Sequence, residues 1–235
     1  MANTLESAEA MKILTPAIAE RVRSGIINSL TRREYNQASR ALANVLIELY
    51  ANIPEKKRVS YGIAYTIKVL SEYLYTQLEQ TGAPVQEVAG AIYADTDDRR
   101  PQFVALGIMS FLGLGSLKET LGYFEVAAAS TDWEMREIAQ GLFRKLIAKR
   151  PNDVREFLLG LTGSPDANLR RFVAETLRPV QENKWFYRDS EYSLSILRNM
   201  FTESAPYPRT SMGNNLSDLA RKLPDTIYSL VRELV

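Results

Sequence analysis

The chain of 235 residues contains no cysteine and no histidine. Without cysteine there is no disulfide, no thiolate nucleophile and no thiolate metal site. Without histidine there is no imidazole general base, no Ser–His–Asp arrangement and no conventional zinc centre. Acid–base chemistry, if any, falls to Asp, Glu, Tyr or Lys. Charge of one sign is also lacking, because Lys plus Arg exceed Asp plus Glu by only one. A strongly basic domain is the usual mark of a nucleic-acid binder, so any such face must come from segregation of charge, not excess. The longest apolar run, around 103–117, is interrupted by Gly107, Gly113 and Gly115. It falls short of the roughly 20 residues a membrane helix needs. The N-terminus carries Glu6 and Glu9 and lacks a basic start followed by an apolar run, so no secretory signal is expected. These readings predict a cytoplasmic protein without membrane contact.

What the sequence does contain is helical periodicity and enough apolar residues, 46%, to fill a core. Helices are expected over 6–30, 32–51, 58–80, 85–93, 102–112, 116–129, 132–149, 151–161, 166–178, 190–202, 208–222 and 224–234. Ile53-Pro54-Glu55 ends one helix and Gly82-Ala83-Pro84 another. Asp95–Pro101 reads as a polar loop and a candidate boundary. The tyrosines at 61, 65, 73 and 75 suit packing better than recognition. No segment alternates as a half-buried strand would, so the fold class is all-α.

The second half repeats itself. Residues 146–154 resemble 219–227 at an offset of 73, continuing to Phe157↔Leu230, Leu158↔Val231 and Leu161↔Leu234. Arg136, Arg170 and Arg209 recur at spacings of 34 and 39, the length class of two-helix solenoid repeats. The expected architecture is a right-handed α-α superhelix of HEAT-like repeats, a single solenoid domain over 1–235. Divergent helices would occupy 1–100 and the repeats 101–235. Stacked repeats bring equivalent helices to one wall. Singly, each repeat arginine is more simply read as an ion pair between repeats.

Arg170-Arg171-Phe172-Val173-Ala174-Glu175-Thr176-Leu177-Arg178-Pro179 organises this half. Glu175 stands four residues after Arg171 and three before Arg178, so its carboxylate lies between two guanidinium groups on one helix face. Asp132, Glu175 and Asp218 come from successive repeats and are expected to approach one hollow. Carboxylates beside an arginine-lined wall suit stabilisation of a positive centre or activation of water next to a polyanion. Trp133 and Trp185, the only tryptophans, offer π faces for stacking on a base, with packing as the plainer reading. Asn214 and Asn215 are poor helix formers in a helical pattern and are expected to hydrogen-bond across repeats.

These residues carry a resemblance. Residues 116–235 resemble the HEAT-like DNA alkylation repair superfamily, and within it the C-type alkylbase glycosylases. The family's Arg-Arg-x-x-x-Glu-x-x-Arg-Pro run followed by Trp is matched by Arg170 to Pro179 and Trp185. Its Val-Arg-x-Ser-x-x-Asn-Asn-Leu-x-Asp signature is matched by Pro208 to Asp218. Its acidic–aromatic pair in the preceding repeat is matched by Asp132-Trp133, with Asp for the usual Glu, and the stretch before Trp185 is about two residues longer than the family's. The resemblance implies hydrolysis of the N-glycosidic bond of positively charged alkylated bases in duplex DNA, without metal or cofactor, by a monomer. Glu175, Asp132 and Asp218 would position water and stabilise the sugar cation, and Trp185 would stack on the damaged nucleotide. Arg171 and Arg178 would hold phosphates, with Arg136, Arg170 and Arg209 along the same wall. The superfamily also includes non-catalytic binders of DNA structure, and a protein-binding scaffold is a further alternative. DNA binding requires Arg144, Lys145, Lys149, Arg170, Arg171, Arg178 and Arg209 to include a continuous basic track.

Overall fold

The computed structural model describes residues 4–94 and 98–233. Every regular element among them is helical, and none contains a strand. No helix among the described residues is long and apolar enough to cross a membrane. The chain divides into two compact units, Met1–Tyr123 and Phe124–Val235.

The first unit contains α1 (Thr4–Ala10), α2 (Pro16–Arg21), a π-helical turn (Val22–Ile27) and α3 (Asn28–Thr31). It continues through α4 (Tyr35–Ala51), α5 (Ile63–Thr81), α6 (Val85–Ala94) and α7 (Arg99–Leu112). The boundary with the second unit falls inside α8 (Leu117–Ala129). α7 is the centre of this unit, packing on α4, α5 and α6, and is buried at every position from Phe103 to Phe111. It comes close to α5 at Gly107, where a Cβ would stand 2.1 Å from Ser71 Oγ and 2.7 Å from Ser71 Cβ. Ser71 uses that proximity to donate to the Val104 carbonyl at 3.0 Å.

The tyrosines of α5 serve as packing residues. Tyr65 contacts Ser7 Oγ at 2.5 Å, Tyr73 donates to the Ala19 carbonyl at 3.2 Å, and Tyr75 stacks on Phe111. Two expectations are corrected here. α5 begins at Ile63, because Glu55–Lys57 form a short 3-10 turn and the chain reverses before Gly62. Within the polar stretch before α7, Arg99 to Pro101 are helical, since the Asp98 side chain accepts from Arg100 N and caps α7. Asp95, Thr96 and Asp97 lie outside the described residues.

The second unit is a series of helix pairs. α9 (Trp133–Lys149) is followed by α10 (Pro151–Thr162). α11 (Ala167–Thr176) leads through a 3-10 helix (Gln181–Tyr187) to α12 (Ser190–Leu197), and α13 (Pro206–Ala220) pairs with α14 (Pro224–Arg232). α11 lies between α9 and α13, and α10 packs on α9, α11 and α12. The rings of Phe124, Phe143 and Phe172 meet edge to face at 5.1 Å and tie α8, α9 and α11 together.

The internal similarity has a physical counterpart. Pro151 and Pro224 each open a helix, where a missing N–H costs little, and the capping residues before them have nearly identical dihedrals, φ −135°, ψ 53° and φ −133°, ψ 53°. The Phe157↔Leu230 and Leu158↔Val231 pairs fall in α10 and α14, whereas Leu234 lies outside the described residues. Ahead of α9 and α11 the same loop is built twice. Ser130 Oγ accepts from Asp132 N and Ser164 Oγ from Asp166 N, both at 3.1 Å. Asp132 and Asp166 cap the following helices, and Arg136 and Arg170 fold back onto the loop carbonyls. Ahead of α13 the pattern changes chemically: Glu203 replaces the serine and accepts from Ala205 N at 2.8 Å.

Candidate functional site

α11 supplies the framework. Its N-terminus is capped by Asp166, whose carboxylate accepts from Asn168 N at 2.7 Å. Its C-terminus exposes carbonyls that lack intrahelical partners, and three neighbouring elements satisfy them. Asn215 of α13 donates to Ala174 O at 2.8 Å, Arg144 of α9 to Glu175 O at 2.9 Å, and Asn183 of the 3-10 helix to Thr176 O at 2.6 Å. Arg144 is buried, and loss of water around its guanidinium lowers its pKa. It remains charged, since arginine starts far above neutrality, and a cation at a helix C-terminus is favourable.

Held in this way, α11 places Arg171 and Glu175 on one face, with Arg178 just beyond the helix end. The Glu175 carboxylate lies 3.9 Å from Arg171 and 3.3 Å from Arg178, as the i,i+4 and i,i+3 spacing implies. Each arginine then reaches a neighbouring helix. Arg178 donates through Nε and Nη2 to Asp218 of α13 at 2.8 and 2.6 Å. Arg171 donates to Glu137 of α9 at 2.7 Å. Gln140, beside Glu137, offers Arg171 a longer contact of 3.5 Å. The result is one chain of charge across three helices: Glu137, Arg171, Glu175, Arg178, Asp218. Burial acts to lower the Arg178 pKa, but the Asp218 hydrogen bond and the charges of Glu175 and Asp218 outweigh it, so the net shift is upward.

The site is graded in exposure. The Glu175 side chain is 7% exposed, Asp218 11%, Arg178 29% and Glu137 40%. Tyr207, at the start of α13, covers one side: the Arg171 guanidinium lies 4.5 Å from its ring centre, and Arg136 donates to its hydroxyl at 3.5 Å. Three carboxylates face Arg171 and Arg178 within this chain, and the buried Arg144 guanidinium on the Glu175 carbonyl sets a third positive charge beside them. Arg221 adds a third pairing to Asp218 at 3.5 Å, but at 74% exposure it is largely screened by water. Among the described residues no group of three potential ligands could hold a metal ion.

The structure thus brings Glu175 and Asp218 together through Arg178, and adds Arg171 and Asn215. Asp132 takes a different place. It is the N-cap of α9, its carboxylate accepting from Glu134 N at 2.9 Å, and it is Glu137 that brings the α9 carboxylate to the cluster. Trp133 is 62% exposed at the first turn of α9. Trp185 is half-buried against Phe186 and Tyr192 at 4.4 and 5.2 Å, so the polar linker around it is an ordered 3-10 helix packed on α12. Asn214 is exposed, while its neighbour Asn215 is fully buried.

The arginines assigned to a phosphate wall divide. Arg136 and Arg170 staple their own loops. Arg170 also binds Glu203 through Nε and Nη2 at 2.5 and 3.1 Å, which gives all three of its nitrogens acceptors. That pairing holds the Glu203 carboxyl below its usual pKa and raises that of Arg170. Arg170 is therefore a tie between α11 and the loop ahead of α13. Arg144 is buried on a carbonyl, and only Arg209 and Lys149 of the expected track are exposed, so the expected continuous basic track is not presented: internal acceptors hold its other arginines. The residues that sequence reasoning missed are Glu137, Gln140, Tyr207 and Glu203, and Arg144, expected in a basic track, instead caps the end of α11. The one signal available was register: Glu137 and Arg171 each follow a repeat arginine, Arg136 or Arg170.

No family model matches the chain, and no curated protein matches it. Among solved structures, the crystal structure of smu.31 from Streptococcus mutans UA159 is similar, with a TM-score of 0.55 and 18% identity over 71% of this chain and 89% of that one. At that identity the likeness concerns the fold alone.

Proposed function

We propose that this chain is a HEAT-like-repeat protein of the DNA alkylation repair type, and that it hydrolyses the N-glycosidic bond of a positively charged alkylated base in duplex DNA. The observation that carries the reading is the chain of Glu137, Glu175 and Asp218 from the first helices of three successive helix pairs, strung on Arg171 and Arg178. Carboxylates gathered from three helices offer counter-charges to a cationic ligand once an arginine is drawn away by phosphate. A cationic alkylated base is already a good leaving group, so the protein need only stabilise the sugar cation and orient water. In the proposed step a water oxygen bonds to C1′ as the C1′–N bond breaks. The base departs neutral with the bonding electron pair, and the water's proton passes to a carboxylate. Asp218 and Glu175 would serve there, with Arg178 released toward a DNA phosphate as substrate enters. The protein would act as a cytoplasmic monomer.

A second reading, binding of damaged or distorted DNA without excision, is favoured by the near-complete burial of Glu175 and its two ion pairs. The two readings separate on release of free base from duplexes carrying 3-methyladenine or 3-methylcytosine. Release by the wild type supports hydrolysis. Tight binding without release supports the second reading, and no binding to either duplex removes both.

A further inference from the structure

The turn between α4 and α5 has no part in the site described above, and it is unusual in three respects. First, it is held rigidly. Lys57 O accepts from both Ser60 N and Tyr61 N, and Arg58 N donates to Glu55 O. The Arg58 guanidinium then reaches back to the end of α4, donating to Ile53 O at 3.2 Å and Ala51 O at 3.1 Å, and lies 5.8 Å from the centre of the Tyr50 ring. A cation on the last carbonyls of a helix is a stabilising C-terminal clamp.

Second, the residue after that clamp is Val59, 98% exposed. A side chain that would be stabilised by burial is instead presented wholly to water. Of the ten large hydrophobic residues exposed among the described residues, Val59 is the most exposed. Third, Lys56 and Lys57 precede the clamp, are exposed, and make no ion pair with a described residue.

We infer that the turn from Pro54 to Gly62 is a second DNA contact, with Lys56 and Lys57 on backbone phosphates and Val59 against the minor-groove edge. This rests on the reading of the protein as a duplex-DNA binder. A rigid tip pairing two lysines with one compact apolar side chain matches how minor-groove proteins combine phosphate contacts with an apolar wedge. One valine is too little apolar area to anchor the protein to a lipid surface, which needs a much larger inserted face.

The test is binding of a fluorescently labelled duplex across a salt series, using wild type, the double variant Lys56→Ala/Lys57→Ala, Val59→Asp and Val59→Leu. All three positions are exposed, so thermal midpoints are expected to stay unchanged. The double lysine variant should weaken binding by about tenfold or more near 0.1 M salt. It should also flatten the slope of log K against log salt by about 2. Val59→Asp should weaken binding severalfold and Val59→Leu should retain it. If wild type binds but the lysine variants match it in affinity and slope, the turn is not a DNA contact while the wider reading stands. If wild type does not bind duplex at all, both fall. Lysine-dependent binding to phosphatidylserine vesicles, with DNA affinity unaffected, would reassign the turn to lipid.

Discussion

Asp218 of α13 accepts two hydrogen bonds from the single guanidinium of Arg178, 40 residues upstream, at 2.8 and 2.6 Å. The third nitrogen of that guanidinium faces Glu175 at 3.3 Å. One arginine therefore bridges two buried carboxylates from consecutive helix pairs. Removing it leaves Glu175 only the longer Arg171 contact at 3.9 Å and Asp218 only the exposed Arg221 at 3.5 Å, and a buried acid that loses its main partner costs more than the pair is worth. Arg178→Met should lower stability by roughly 3 kcal/mol, read from urea unfolding. In the Asp218→Asn background the loss should shrink, because only Glu175 is then stranded. Equal losses in both backgrounds would show that the two groups are not coupled.

The Arg170–Glu203 pair carries a pH dependence with a definite sign. The arginine's hydrogen bonds depress the Glu203 pKa, so the unfolded chain takes up a proton before the folded one does. The stabilisation is complete above the unfolded value of about 4.3 and is lost as pH falls through the depressed folded value. Thermal midpoints should fall more steeply below about pH 4.3 in wild type than in Glu203→Gln. The variant should also be less stable at neutral pH. Identical acid profiles would dissociate Glu203 from acid stability.

Three side chains from three elements hold the last carbonyls of α11. Deleting one strands a buried acceptor, a penalty of about 1 to 3 kcal/mol. Asn215→Ala and Asn183→Ala should each cost that much in chemical unfolding, whereas Asn214→Ala, at an exposed position, should change stability by less than about 0.5 kcal/mol. A comparable loss for Asn214→Ala would remove the distinction between the two adjacent asparagines.

Gly107 permits α7 to approach α5, and an added methyl would collide with the Cβ of Ser71 as well as with its rotatable hydroxyl. Gly107→Ala should therefore destabilise by about 1 to 3 kcal/mol, despite alanine's better helix propensity. Ser71→Gly should relieve most of the loss. A neutral Gly107→Ala would indicate that the two helices separate easily.

How much of this was legible depends on the range of the interaction. Helix ends set by local chemistry were readable: Gly82 adopts φ +68° as a left-handed cap, Gly113 follows α7, and Pro151 and Pro224 open α10 and α14. The spacing of Arg171, Glu175 and Arg178 gave their ion pairs directly. Contacts across helices were another matter. Asp132 looked available for chemistry, yet a Ser-x-Asp sequence before a helix is also a capping signal, and its twin at Ser164–Asp166 pointed the same way. Glu137 was passed over because nothing in a single helix shows which of its carboxylates meets the next one. Trp185 follows polar residues, and only the ring of Tyr192 explains its packing. For the arginines, internal acceptors such as Glu203 and the carbonyl of Glu175 lie 31 to 33 residues away, beyond what local spacing reveals.

The most direct test of the central claim is release of free base from duplex DNA containing 3-methyladenine or 3-methylcytosine, measured for wild type, Glu175→Gln and Asp218→Asn beside their DNA affinities. The account predicts release by wild type and a loss of well over tenfold in both variants with binding retained. No release by wild type, or undiminished release by both variants, would contradict it.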